Sequence, residues 1–226
     1  MELSLKPPKK GDVNKNWMQP RRDSIVQIRP EYHLIVTEGT DTEPAYFNAM
    51  KDEINLKFRG RIQLDIEGKG DNTLSLAKKA RSSVQQSPNQ YQHVWIVYDT
   101  DDFPAEHIDQ TLCLCKEWST DDTKYHALWS NQCIELWFLL HFSYMQSDIH
   151  RTAYWPKLTK KLIAQGAGEY TKGRPDMYSI LKPRMKDAIK NAQKLAQKNA
   201  DNLPSQSAPG TRVFELVEIL LPYLDL

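Results

Sequence analysis

The sequence predicts an α/β fold: a mostly parallel, four-stranded sheet flanked by helices, followed by a helical C-terminal extension. Two observations carry this. Between residues 32 and 142, short apolar β-branched runs alternate with helical periodicity, strand then helix, four times over. Such alternation is what crossover helices and a parallel sheet require. The runs themselves, such as YHLIVT and HVWIVY, are continuously apolar, as strands covered on both faces are.

Each element has its local reason. Tyr32 to Thr37 reads as the first strand, ended by Glu38-Gly39. Thr42 caps a helix from Glu43 to Lys57, with Tyr46, Phe47, Met50 and Ile54 on one face. Ile62 to Ile66 alternates as a second strand and is broken by Gly68 and Gly70; Asp71, Asn72 and Thr73 offer caps for a helix through Val84. His93 to Tyr98 is the third strand, ending at Asp99, and a helix follows from Ala105 to Trp118. Lys124 to Trp129 is the fourth strand, before a strongly apolar helix from Cys133 to Phe142. Three segments result: a flexible basic arm (1–24), an α/β core (25–142) and the helical extension (143–226), in which SQSAPG precedes a last helix, VFELVEILLPYL.

Composition bounds the function classes. The chain has 226 residues, 40% hydrophobic and 26% charged, with a net charge of +1; this is ordinary for a globular protein. The charge is unevenly placed. The first 30 residues hold seven Lys/Arg against three acidic groups, which suits contact with a polyanion or a simply solvated tail. No apolar run reaches the ~18 residues of a membrane span, and the N-terminus lacks the apolar core of a signal peptide. The three cysteines, Cys113, Cys115 and Cys133, have no C-x-x-C spacing, so disulfide and thiolate-zinc scaffolds are not expected. A cytoplasmic location is expected.

The chemistry concentrates in IVYDTDDFP, residues 96–104. Side chains two apart on a strand share a side, so Asp99 and Asp101 point together, beyond a strand's C-terminal end. Two carboxylates there make a hard-oxygen site of the kind that holds Mg²⁺, with Mn²⁺ as a substitute. Glu38 follows the end of the first strand; if the two strands are neighbours, the three acids converge in one crevice. The competing reading is that Asp102 and its neighbours merely cap the helix beginning at Pro104.

A Glu after the first strand and D-x-D after the third resembles the pattern of the TOPRIM domain of topoisomerases, primases and OLD-type nucleases. More closely, the chain resembles the RloB family, known from abortive-infection loci. The matching pieces are EGTDTEPAYF (38–47), GKGD (68–71), WIVYDTDDF (95–103), SNQCIELWFLLHF (130–142) and TRVFELVEILLPYL near the C-terminus. They cover 32–142 well and the last third thinly. The chain departs from the family where Gln132 replaces a frequent Pro, Ile134 stands near a frequent Phe, and Thr100 replaces an Arg. The resemblance implies that Asp99 and Asp101 hold Mg²⁺, with Glu38 as a further ligand or general acid or base. It further implies a TOPRIM-like nuclease acting on RNA or DNA in anti-phage defence, working with an ATPase encoded at the same locus. The alternatives are a nucleic-acid-binding subunit of a defence complex and a nucleotidyl- or strand-transfer enzyme.

Other residues join the expected site. Glu43 opens the first helix, where it either favours the helix dipole or reaches the metal. Glu135 is an acid within a buried helix and needs a partner or a metal. Asn131 is a cap or a supporting group, and His141 lies on another face of the same helix. Lys69, between Gly68 and Gly70, could reach a phosphate. Lys182, Lys186, Lys190, Lys194 and Lys198 recur every four residues; Lys186, Lys190 and Lys194 are the expected phosphate-tracking stripe, unless the stripe is only a solvated face. Tyr154, Trp155, Tyr170 and Tyr178 could stack bases. The expected partners are nucleic acid, the ATPase and a second copy of the chain, with no membrane.

Overall fold

The computed structural model describes residues 30–70, 72–100 and 103–226. Its first four strands are β1 (Glu31–Thr37), β2 (Ile62–Gly68), β3 (His93–Asp99) and β4 (Lys124–Asn131). Between and after them run α1 (Thr42–Lys57), α2 (Thr73–Gln86), α3 (Ala105–Trp118) and α4 (Glu135–Leu140). The strands are parallel, in spatial order β2-β1-β3-β4. Strand order therefore reverses between β1 and β3: the chain leaves β1 for β2 on one side, then returns to the other side as β3. α1 packs on one face of the sheet and α2 on the other, so the helix ends diverge there and leave a crevice beyond the strand ends.

The strands alternate between two cores. Ile35, Trp95, Val97 and Leu128 face one cluster, with Tyr46, Phe47 and Met50 of α1 and Leu136 to Leu140 around α4. Leu34, Val36, Val94, Ile96 and Tyr98 face the other, with Leu76, Ala77 and Ala80 of α2 and Ile108 of α3. Both sides being covered explains the unbroken apolar strands. Asn72 caps α2, its side chain accepting from the Ser75 N–H at 3.1 Å. α1 begins at Thr42 with Asp41 in the cap position.

Two expectations are corrected or enlarged. The sheet has five strands, not four, and is mixed: β5 (Gly210–Thr211) lies antiparallel beside β4, pairing Thr211 with Ser130 and Gly210 with Asn131. Two residues inside a loop carry no period-2 signal; tertiary pairing makes them a strand. The C-terminal helices α5 (Tyr154–Ile163), α6 (Met177–Leu181), α7 (Met185–Lys198) and α8 (Val213–Leu220) are packed into the core on the α1 face. Tyr154, Leu158, Met185, Ala188, Ala192, Leu195 and Leu216 share one buried cluster with Phe47 and Trp137. Tyr46 links three segments: its hydroxyl accepts from Trp137 Nε1 at 3.1 Å and donates to Met185 Sδ at 3.7 Å. Among the described residues no helix is long and apolar enough to cross a membrane. The basic arm expected over 1–24 lies outside the described residues.

Candidate functional site

The register of β1 and β3 builds the site. Thr37 pairs with Val97, so the chain leaves both strands at one level. The Glu38 N–H still donates to Val97 O at 3.0 Å, and the Glu38 carboxylate accepts from the Asp99 N–H at 3.3 Å. From β2, the Gly70 N–H donates to Glu38 O at 3.0 Å and pins the same turn; the φ of +60° at Gly70 suits glycine. Gly39 makes room of another kind: a Cβ there would meet the Glu43 carboxylate, which would have to shift. The missing side chain is what lets the Glu43 carboxylate fold back against the turn.

These elements wall a crevice of about 510 Å³ lined by Glu38, Asp41, Glu43, Asp99 and Glu135, together with Thr42, Asn72 and Lys172. Among the described lining residues, Lys172 is the one basic side chain. Glu43 and Glu135 are only 5% and 2% exposed, so their charges are not dissipated in water. Glu135 Oε1 accepts from Tyr170 Oη at 2.8 Å and from Trp155 Nε1 at 3.1 Å. Lys172 arrives on the segment between α5 and α6, which is tied to α1 by the Gly173 N–H donating to Thr42 Oγ1 at 3.1 Å.

The crowding shows in the acid strengths. Burial, aided by the Glu43 charge and opposed by the Asp99 N–H, pushes the Glu38 carboxyl up to about 7. Asp99 is raised well above the usual carboxylate range, by burial first and then by the charges of Glu43, Glu38 and Glu135, with Lys172 opposing. Glu43 is raised by burial, against its own backbone N–H. Without a cation these acids keep protons that free carboxylates would release. Oxygen donors lining one crevice are the type that suits Mg²⁺ or Mn²⁺; among the described residues no three of these acids bring ligand atoms within 4.8 Å of one another, and Glu38 and Asp99, joined through the Asp99 N–H, are the pair that would hold an ion.

The sequence-derived candidates divide. Glu38, Glu43, Asp99 and Glu135 come together; Asp101 lies outside the described residues. Asn131 stands behind the site, its Nδ2 donating to Thr100 Oγ1 at 3.1 Å, and so steadies the residue after Asp99. His141 is buried at the far end of α4, where its Nδ1 bonds Trp137 O at 2.9 Å, and it does not line the crevice. Lys69 pairs with Glu67 at 2.8 Å, while its neighbour Gly70 lines the crevice. Lys186, Lys190 and Lys194 lie on the exposed side of α7, away from the crevice walls. Lys172 was not found from sequence, because a single lysine in YTKGRPD has no partner spacing to mark it.

A second cluster sits at the opposite, N-terminal edge of the sheet. Ligand atoms of Glu31, His33 and His93 lie within 4.8 Å of one another, so by distance they could hold a metal. Glu31 Oε1 is 3.0 Å from His93 Nε2 and 3.4 Å from His33 Nε2, and His93 Nδ1 is 2.9 Å from His126 Nε2. Protonation argues against a three-ligand site. Trp95 Nε1–H donates to His33 Nδ1 at 3.1 Å, which leaves the proton of neutral His33 on Nε2, the atom a metal would need. Burial lowers His33 to about 3 and His126 to about 4, so both rings are neutral near pH 7. The arrangement is a stack of neutral imidazoles on Trp95 around one carboxylate. Sequence reasoning missed it, because the histidines align only once the β1–β3–β4 register is known.

A doubly covered, mostly parallel sheet with acids massed at its switch point defines an α/β protein with a candidate cation site. The chain belongs to the RloB-like protein family, whose model matches residues 33–220. No curated protein and no solved structure matches the chain.

Proposed function

We propose that this protein is a TOPRIM-like, Mg²⁺-dependent phosphodiesterase: a nuclease acting on RNA or DNA in anti-phage defence, alongside an ATPase encoded at the same locus. One observation carries the reading. Five carboxylates line the crevice at the β1–β3 switch point, and three of them, Glu38, Glu43 and Asp99, are raised by burial with help from neighbouring acidic charges, an arrangement that is costly without a cation and useful with one. The defence role rests on the RloB resemblance alone.

In this reading Glu38 and Asp99 hold the ion, with Asp101 expected beside them. The bound ion would supply charge stabilisation at the phosphate and a more acidic water. The remaining groups orient and balance. The Asp99 N–H fixes one oxygen of Glu38. Glu135 is held in place by Tyr170 and Trp155, and Glu43 lines the same crevice. Lys172 offers the crevice a positive group for a substrate phosphate. The crevice is open to solvent, so a polymer can enter from the side.

The test is incubation of end-labelled RNA and DNA with the protein in Mg²⁺, Mn²⁺ or EDTA. Cleavage in either metal that is absent in EDTA and in Asp99→Asn supports the reading. Intact substrates under every condition, with folded protein, refute it for the isolated chain.

A further inference from the structure

We propose that the hollow beside the acidic crevice is a subsite for an unpaired nucleobase, with Trp155 as its stacking platform, so that the substrate is single-stranded nucleic acid. This rests on the phosphodiesterase reading and narrows it.

The hollow has a volume of about 300 Å³ and is walled by Trp155, Cys133, Thr152, Arg151 and Lys172. It adjoins the crevice: Asp99, Glu135 and Lys172 line both. Its size is that of a small-ligand pocket. Trp155 is 44% exposed, whereas Trp95 and Trp137 are fully buried. One exposed aromatic is ordinary on a protein surface; what sets this one apart is that it walls a hollow whose lining includes Asp99 and Glu135.

The ring is also held in place. Its Nε1–H donates to Glu135 Oε1 at 3.1 Å, which ties one edge to the acidic cluster while the ring lines the hollow with Lys172 over it. A ring already fixed loses little freedom when a base stacks on it. Lys172 Nζ lies 5.1 Å from the ring centroid, within cation–π range, and so brings a positive charge to the same wall. The backbone of Arg151 is positioned by its N–H donating to Gln132 Oε1 at 2.7 Å. Aromatic face, cations and a neighbouring acidic cluster match the three parts of a nucleotide chain at a metal site: base, flanking phosphate, and the phosphate that meets the ion. An apolar peptide side chain would satisfy the indole alone. A duplex would have to unstack a base to reach the ring, at a cost of a few kcal/mol, which is why single strands are favoured.

The experiment measures anisotropy of fluorescein-labelled dT and rU 12-mers, and of a 12-base-pair duplex, with the full chain in Ca²⁺. Trp155→Ala should weaken single-strand binding roughly 5- to 150-fold, the range for removing one stacked base, and leave duplex binding unchanged. Trp155→Phe keeps an aromatic face but removes the N–H to Glu135, so it should retain most of the single-strand affinity. Unchanged single-strand binding in Trp155→Ala overturns the proposal. So does an equal loss for single strand and duplex, or a Phe variant as weak as the Ala variant, which would make the indole a positioning group for Glu135. Cleavage by wild type and Asp99→Asn keeps the two readings apart. Metal-dependent cleavage with unchanged binding in Trp155→Ala sinks the subsite alone; single-strand binding abolished in Trp155→Ala without any cleavage by wild type sinks the phosphodiesterase and leaves a base-binding site.

Discussion

The Asp99 N–H donates to the Glu38 carboxylate at 3.3 Å, joining the C-terminal ends of two strands that are 61 residues apart in sequence and neighbours in the sheet. This hydrogen bond holds two like-charged side chains at one crevice, and the consequences are measurable.

Stability against pH is the first. Glu38 is raised to about 7 in the folded chain, against about 4.3 in an unfolded one. Between those values the folded state binds more protons, so this group's contribution to stability falls as pH rises from about 4.5 to 7, and levels off above. Buried His33, His126 and His141, all lowered, run the other way over part of the window. The prediction therefore concerns a difference. In EDTA, Glu38→Gln should gain thermal stability relative to wild type as pH goes from 5 to 7, with only a small further gain by pH 8. Parallel melting curves for the two proteins across that range would contradict it.

Asp99→Asn removes a charge that Glu38, Glu43 and Glu135 all oppose. The metal-free variant should melt at or above the wild-type temperature, yet cleave at least about 100-fold more slowly, a larger effect than removing an outer-shell group of a metal site has. A variant that cleaves at wild-type rate would remove Asp99 from the chemistry.

The strand-end acids were legible because a carboxylate just after an apolar run needs no tertiary information to be placed. Glu38 and Asp99 each carry that signal, and Glu135 stands out as an acid in an otherwise apolar helix. What makes them one site is strand order, and the sequence holds that only as an expectation of neighbouring strands. That Trp155 and Tyr170 could stack bases was legible from residue type; Lys172 and the hydrogen bonds of Trp155 and Tyr170 to Glu135 were not, since they depend on the chain after α4 folding back over the site. β5 escaped for the same reason, being two loop residues recruited by β4. The helices after residue 142 read as an extension because their polarity suggested one. Their buried faces, Met185 to Leu195 above all, complete the core under α1 and α4.

That shared core predicts cooperative unfolding. Tyr46→Phe leaves the buried Trp137 N–H without the acceptor it has at 3.1 Å, which should cost ~1–3 kcal/mol. Urea unfolding should show one transition at a lower midpoint with an unchanged slope. Two separated transitions would mean that the C-terminal helices fold apart from the sheet.

For the lysine stripe, the triple replacement of Lys186, Lys190 and Lys194 by Gln should leave stability within about 0.5 kcal/mol, as these side chains are exposed. If the stripe tracks phosphates, the slope of log affinity against log salt flattens by ~0.7 to 0.9 for each phosphate that is no longer neutralised. An unchanged slope makes it a solvated face.

Central to the proposed chemistry is a cation held between Glu38 and Asp99. Calorimetric titration of the metal-free protein with Mn²⁺ at pH 8 tests this directly, in wild type, Asp99→Asn and Glu31→Gln. Binding that is at least about tenfold weaker in Asp99→Asn, and unchanged in Glu31→Gln, is the predicted result. Equal affinity in wild type and Asp99→Asn, or weakening only in Glu31→Gln, would contradict it and move the metal to the histidine edge of the sheet.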